Sequence, residues 1–75
     1  MDENTEHKVT ISGHLVSYDD SAKHGIYYLT YQIDAAEKKV FFDQAFSRGF
    51  ANFEDQMGSN YKLTHVGAGY ILTKV

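Results

Sequence analysis

Four histidines, His7, His14, His24 and His65, are the residues of this chain whose ordinary pKa lies near neutrality. Together with Asp19 and Asp20 they are the first candidates for a metal or acid–base site. Their spacing does not support one. No two histidines stand in the HxH or HxxxH pattern that puts two ligands on one face of an element, so ordinary surface or half-buried histidines are expected. Nucleophilic catalysis needs a serine held by a histidine that a carboxylate orients. None of the five serines, Ser12, Ser17, Ser21, Ser47 and Ser59, sits in a nucleophile-elbow context. Gly67-Ala68-Gly69 has the look of a phosphate loop, but such loops open a helix and a strand follows here, so a hairpin loop is expected. The expected reading is therefore no enzyme, no cofactor and no metal.

The residues left to do chemistry are aromatic and acidic. A strand over 26–33 would put Tyr27, Leu29, Tyr31 and Ile33 on one face and Tyr28, Thr30 and Gln32 on the other. If a helix covers the first face, Tyr28, Thr30 and Gln32 form an exposed surface able to meet a protein or stack a nucleobase. Glu54 and Asp55 fall in the expected last turn of a helix, where acidic side chains oppose the macrodipole. They form a candidate contact for a basic partner.

Those residues need elements to position them. Val9, Ile11 and Leu15 alternate with polar residues as a half-buried strand, with Gly13 marking a bulge. Asp19 to Gly25 has the composition of a turn, 26–33 is the second strand, 34–38 a hairpin-length connection and 39–42 a short third strand. Asp43 then caps a helix in which Phe46, Phe50, Phe53 and Met57 recur at helical spacing, ending at Gly58. Gly49 is an irregularity inside it, and Phe50→Asp is expected to unfold the chain. Tyr61 to Val66 and Tyr70 to Val75 are two further strands. The fold class is thus α+β: an antiparallel sheet of about five strands with one amphipathic helix on one face, in the order β-β-β-α-β-β. Residues 1–6 read as a disordered acidic tail and 7–75 as a single domain.

Composition narrows the function classes. The chain has 75 residues and no cysteine, so neither disulfides nor cysteine-ligated zinc can brace a core this small. Association with another copy is the remaining source of stability. Lys and Arg number 7 against 10 Asp and Glu, a formal charge of −3 that disfavours nucleic acid and anionic lipid. The sparse basic pairs Lys38 with Lys39, and Lys62 with Lys74, do not reverse this. No stretch is apolar enough to span a membrane, and no basic, apolar leader opens the chain, which points to the cytoplasm. The expected function is a small non-catalytic protein–protein interaction module that forms a homo-oligomer, its protein partner unknown. The alternative is a single-stranded nucleic-acid binder using Tyr28 with Lys39, Lys62 or Lys74.

Overall fold

The computed structural model describes residues 6–75. Apart from Glu6, the expected acidic tail lies outside the described residues. The described residues open with a hairpin, β1 (His7–Ile11) and β2 (His14–Tyr18), and close with a three-stranded meander, β3 (Phe50–Glu54), β4 (Asn60–Val66) and β5 (Gly69–Lys74). Between them lies a helical layer. A 3-10 turn (Asp20–Ala22) leads into α1 (Lys23–Tyr27), then a π-helical turn (Tyr28–Gln32), then α2 (Ala35–Arg48). The fold is α+β with five strands, as expected, but two helical segments replace one and the order is β-β-α-α-β-β-β.

The sheet order is β1-β2-β5-β4-β3. Neighbours are antiparallel except β2 and β5, which run parallel through Val16–Tyr70, Ser17–Ile71 and Tyr18–Leu72. The sheet is therefore mixed, not purely antiparallel. Its two antiparallel units are each local in sequence. They meet at the centre of the sheet, and the helical layer makes the crossover that a parallel junction requires.

Four local assignments change, each for a physical reason. Gly13 does not mark a bulge within one strand: Ser12 and Gly13 have φ of 51° and 82°, a two-residue turn with both φ positive, closed by Ile11 and His14. The segment from Ile26 to Ile33 is helical. Ala22, Ile26 and Leu29 are buried at spacings of four and three, and Ile33 follows four further on against the core. Asp19 starts this layer, accepting the Ser21 amide at 3.0 Å. The third expected strand, 39–42, is the middle of α2. Asp34 is its N-cap, its carboxylate accepting the Glu37 amide at 2.9 Å, an Asp-x-x-Glu start. Gly49 ends α2 in the left-handed region at φ 92°, its amide donating to Ala45.

The fourth change removes the expected phenylalanine stripe. Phe46 lies on α2 and Phe50 and Phe53 on β3, while Met57 follows in a turn. Phe46, Phe50 and Met57 are 66%, 40% and 80% exposed, and only Phe53 is buried. Phe50→Asp is therefore no longer expected to unfold the chain. The core instead forms where the helical layer presses Leu29 and Phe42 onto Val16, Tyr61, Leu63 and Leu72, all fully buried. Each is worth roughly 1.5–3 kcal/mol of burial. Gly25 lets α1 lie against Tyr61, since a Cβ there would stand 2.7 Å from that ring. β4 and β5 match expectation closely, joined by a two-residue turn at Gly67-Ala68.

Candidate interaction surface

The five residues singled out from the sequence do not share one surface. Tyr28 is half-buried between layers, its ring stacked on Phe53 with centroids 5.7 Å apart. The Thr30 hydroxyl donates to the Ile26 carbonyl at 2.7 Å, and its own carbonyl accepts from Lys38 Nζ at 3.0 Å, tying the π-helical turn to α2. Gln32 and Asp55, by contrast, line one cavity of about 140 Å3 with His24, Tyr27, Gln56 and Met57. Glu54 ends β3 and is exposed. Neither acidic residue lies in a helix, so opposition to a macrodipole is not what sets them apart.

Asp55 is an organiser of its turn. One carboxylate oxygen accepts the amides of Met57 and Ser59, both at 2.9 Å, and the other accepts the Tyr61 hydroxyl at 3.1 Å. Burial pushes its pKa up, but the two amides, the Tyr61 hydroxyl and the nearby His24 outweigh that and hold it below the ordinary value. The same contact works the other way on Tyr61. Burial first, then the hydrogen bond to Asp55 and its charge, push the phenol up and keep it a donor.

Two of the four histidines, His14 and His65, come together around one tyrosine. His7 Nε2 stands 2.7 Å from Asp20 Oδ1 in an exposed pair. His14 stacks on Phe42 at 4.5 Å, and His14 and His65 flank Tyr70 at 5.3 and 5.2 Å. Burial and the charge of Asp43 raise the Tyr70 pKa. A groove of about 420 Å3 beside this cluster is lined by Ser12, His14, Ala35, Lys39, Phe42 and Asp43. Its charged groups are already joined, Lys39 to Asp43 at 2.9 Å. Among the described residues no group of three His, Asp or Glu is placed to hold a metal ion.

The surface that sequence reasoning missed is the face of the sheet turned away from the helices. Register puts Val16, Tyr70, Leu72, Leu63, Ala51 and Phe53 on the covered side, so alternation turns Leu15, Ile71, Thr64, Val66 and Phe50 to the bare side. Leu15, Phe50, Val66 and Ile71 are 47%, 40%, 49% and 37% exposed. Ser17, Ile71, Thr64 and Phe50 form one row across four strands. Leu15 and Val66 flank Gly69 in the next row, leaving a shallow groove of about 290 Å3. Lys62 holds its ammonium 5.0 Å from the Phe50 ring centroid. Alternation within β4 and β5 was the available signal for Val66 and Ile71. Leu15 and Phe50 are hidden because the sequence pattern fits a bulge and a helix where a turn and a strand occur.

No tyrosine lies on the bare face. Tyr18, Tyr61 and Tyr70 point to the covered side, and Tyr27, Tyr28 and Tyr31 belong to the helical layer. Tyr28 is therefore not on an exposed sheet face, while Tyr27 and Tyr31 are exposed on the helical layer with ring centroids 5.1 Å apart. No helix among the described residues is long and apolar enough to cross a membrane. No family model, curated protein or solved structure matches the chain.

Proposed function

We propose that this chain is a small non-catalytic protein-interaction module that works as a homo-oligomer and presents the bare face of its sheet to other proteins. The observation that carries the reading is the set of four exposed apolar side chains, Leu15, Phe50, Val66 and Ile71, in two adjacent rows of the bare face, interspersed with Ser17 and Thr64. Contiguous apolar surface of this kind, rimmed by polar groups such as Lys8, Thr73 and Glu54, marks contact sites in soluble proteins.

An oligomer of this kind would also enlarge the face. Strands about 4.8 Å apart, each about 20 Å long, give five strands a footprint of about 500 Å2. A stable interface buries about 800 Å2 on each partner. One face alone falls short, and two faces side by side exceed it.

Sedimentation equilibrium and binding of a hydrophobic dye test the reading together. The wild-type mass is expected to exceed that of one chain, and Ile71→Asp to abolish dye binding while fold and mass persist. A wild-type monomer at millimolar concentration, or dye binding unchanged by Ile71→Asp, overturns it.

A further inference from the structure

β3 forms one margin of the sheet, and the bonding pattern shows which of its backbone groups are unpaired. The His65 amide donates to the Gly49 carbonyl at 3.0 Å and the Asp55 amide to the Ser59 carbonyl at 2.9 Å. Both fit the register in which Phe50 faces Thr64 and Phe53 faces Tyr61. Bonded and unbonded pairs alternate along an antiparallel ladder, so Ala51 and Phe53 turn their N–H and C=O groups toward β4. Phe50, Asn52 and Glu54 turn theirs outward, and no strand among the described residues lies beyond them. Proteins commonly blunt such a margin with lysine, proline or a bulge. β3 reads FANFE: it has neither lysine nor proline, its register with β4 is unbroken, and its one charge is Glu54 at the strand's end, whereas β1 at the other margin carries Lys8 within the strand.

We propose that β3 pairs antiparallel with β3 of a second copy about a two-fold axis at Asn52, joining two five-stranded sheets into one of ten. The proposal rests on the homo-oligomer reading and names its interface. Only the register centred on Asn52 uses all five residues. It sets Asn52 against Asn52 and Phe50 against Glu54, so each outward amide meets an outward carbonyl and the three residues of each copy close six hydrogen bonds. Ala51 and Phe53 then stand opposite each other on the covered side, and neither face changes sides.

Charge complementarity favours the same register. Glu54 of the second copy arrives beside Phe50, over whose ring Lys62 already holds its ammonium. Arg48, the only arginine of the chain, is helical and takes no part in the ladder, but it is exposed where α2 runs into β3 and so lies at the same end of the junction as the turn built on Asp55 of the other copy. The exposed Glu54 therefore finds a cationic counterpart in an identical chain, while the carboxylate of Asp55 stays engaged within its own turn.

Amide hydrogen exchange and sedimentation mass test the pairing. Exchange at Phe50, Asn52 and Glu54 is expected to slow as protein concentration rises, because these amides lack a partner in the single chain. Asn52→Pro removes an outward N–H that the fold does not use, and is expected to halve the mass with secondary structure retained; Asn52→Gln, which keeps the N–H, leaves the mass unchanged. Concentration-independent exchange at the three amides overturns the pairing whether or not the proline variant folds. So does a folded Asn52→Pro protein with wild-type mass, and in either case a wild-type oligomer leaves the broader reading standing. A wild-type monomer at millimolar concentration overturns both.

Discussion

Asp55 is the residue that ties the turn between β3 and β4 to the core. Its carboxylate collects two amides of its own turn and the hydroxyl of Tyr61, which is buried under α1 at Gly25. A native pKa held below the ordinary 3.8 means that the unfolded chain binds the proton more readily, so this contribution is complete above that value. It is lost as pH falls below 3.8 toward the lowered native value. Asp55→Asn keeps the shape but gives up the ionised acceptor. Urea midpoints for wild type and variant are expected to differ by a constant amount from pH 8 to pH 5 and to converge below about pH 4. A gap that stays open in acid would assign the effect to packing of the turn. The amides at Met57 and Ser59 also explain why two adjacent acidic residues look anomalous in sequence: a side chain that organises a turn was read as one that opposes a helix.

At the scale of elements, β3 and α2 have exchanged the territory that phenylalanine spacing assigns to one helix. Phe53 packs against Tyr28, Phe41 and Tyr61 at 5.7, 5.2 and 5.5 Å, whereas Phe50 lies on the bare face. Phe53→Ala is expected to cost about 3–5 kcal/mol, enough to unfold a domain of this size, and Phe50→Ala about 1 kcal/mol or less. Guanidinium denaturation at low protein concentration separates them; equal losses would restore Phe50 to the core. The reason for the misreading is that spacings of four, three and four also fit residues on different elements when a glycine intervenes. Gly49 is that glycine, and the Asp34-x-x-Glu37 start is the matching signal at the other end. The segment from Ile26 to Ile33 was ambiguous for another reason: with apolar or aromatic residues at 26, 27, 28, 29, 31 and 33, periods of two and 3.6 both fit. β4 and β5 are legible because β4 alternates at Tyr61, Lys62, Leu63 and Thr64, β5 is a short apolar run, and a glycine-bearing turn separates them. Of the candidate site, only Gln32 with Asp55 came together, since the bare face depends on a turn at Ser12-Gly13 and on a strand at Phe50 that the sequence disguises.

For the whole molecule, the orientation of the proposed two-fold axis decides what the oligomer presents. An antiparallel edge pairing has its axis normal to the sheet, so both bare faces look the same way and merge into one surface, with both helical layers behind it. Long-range charge opposes the assembly, because each copy carries a formal −3. Local charge favours it, through Glu54 near Lys62 across the junction and Arg48 at the junction's end beside the acidic residues of the other copy. Salt weakens both terms, so the wild-type dimerisation constant is expected to change little between about 0.05 and 1 M salt, where the Debye length falls to about 3 Å. Arg48→Glu breaks this balance: it turns an attraction into a repulsion and makes each copy more negative. Its dimer is expected to be weaker than wild type at low salt and to recover as salt rises, measured by sedimentation across a salt series. A variant whose dimer weakens as salt is added, or matches wild type at low salt, would remove Arg48 from the junction and leave the six backbone hydrogen bonds to define it alone.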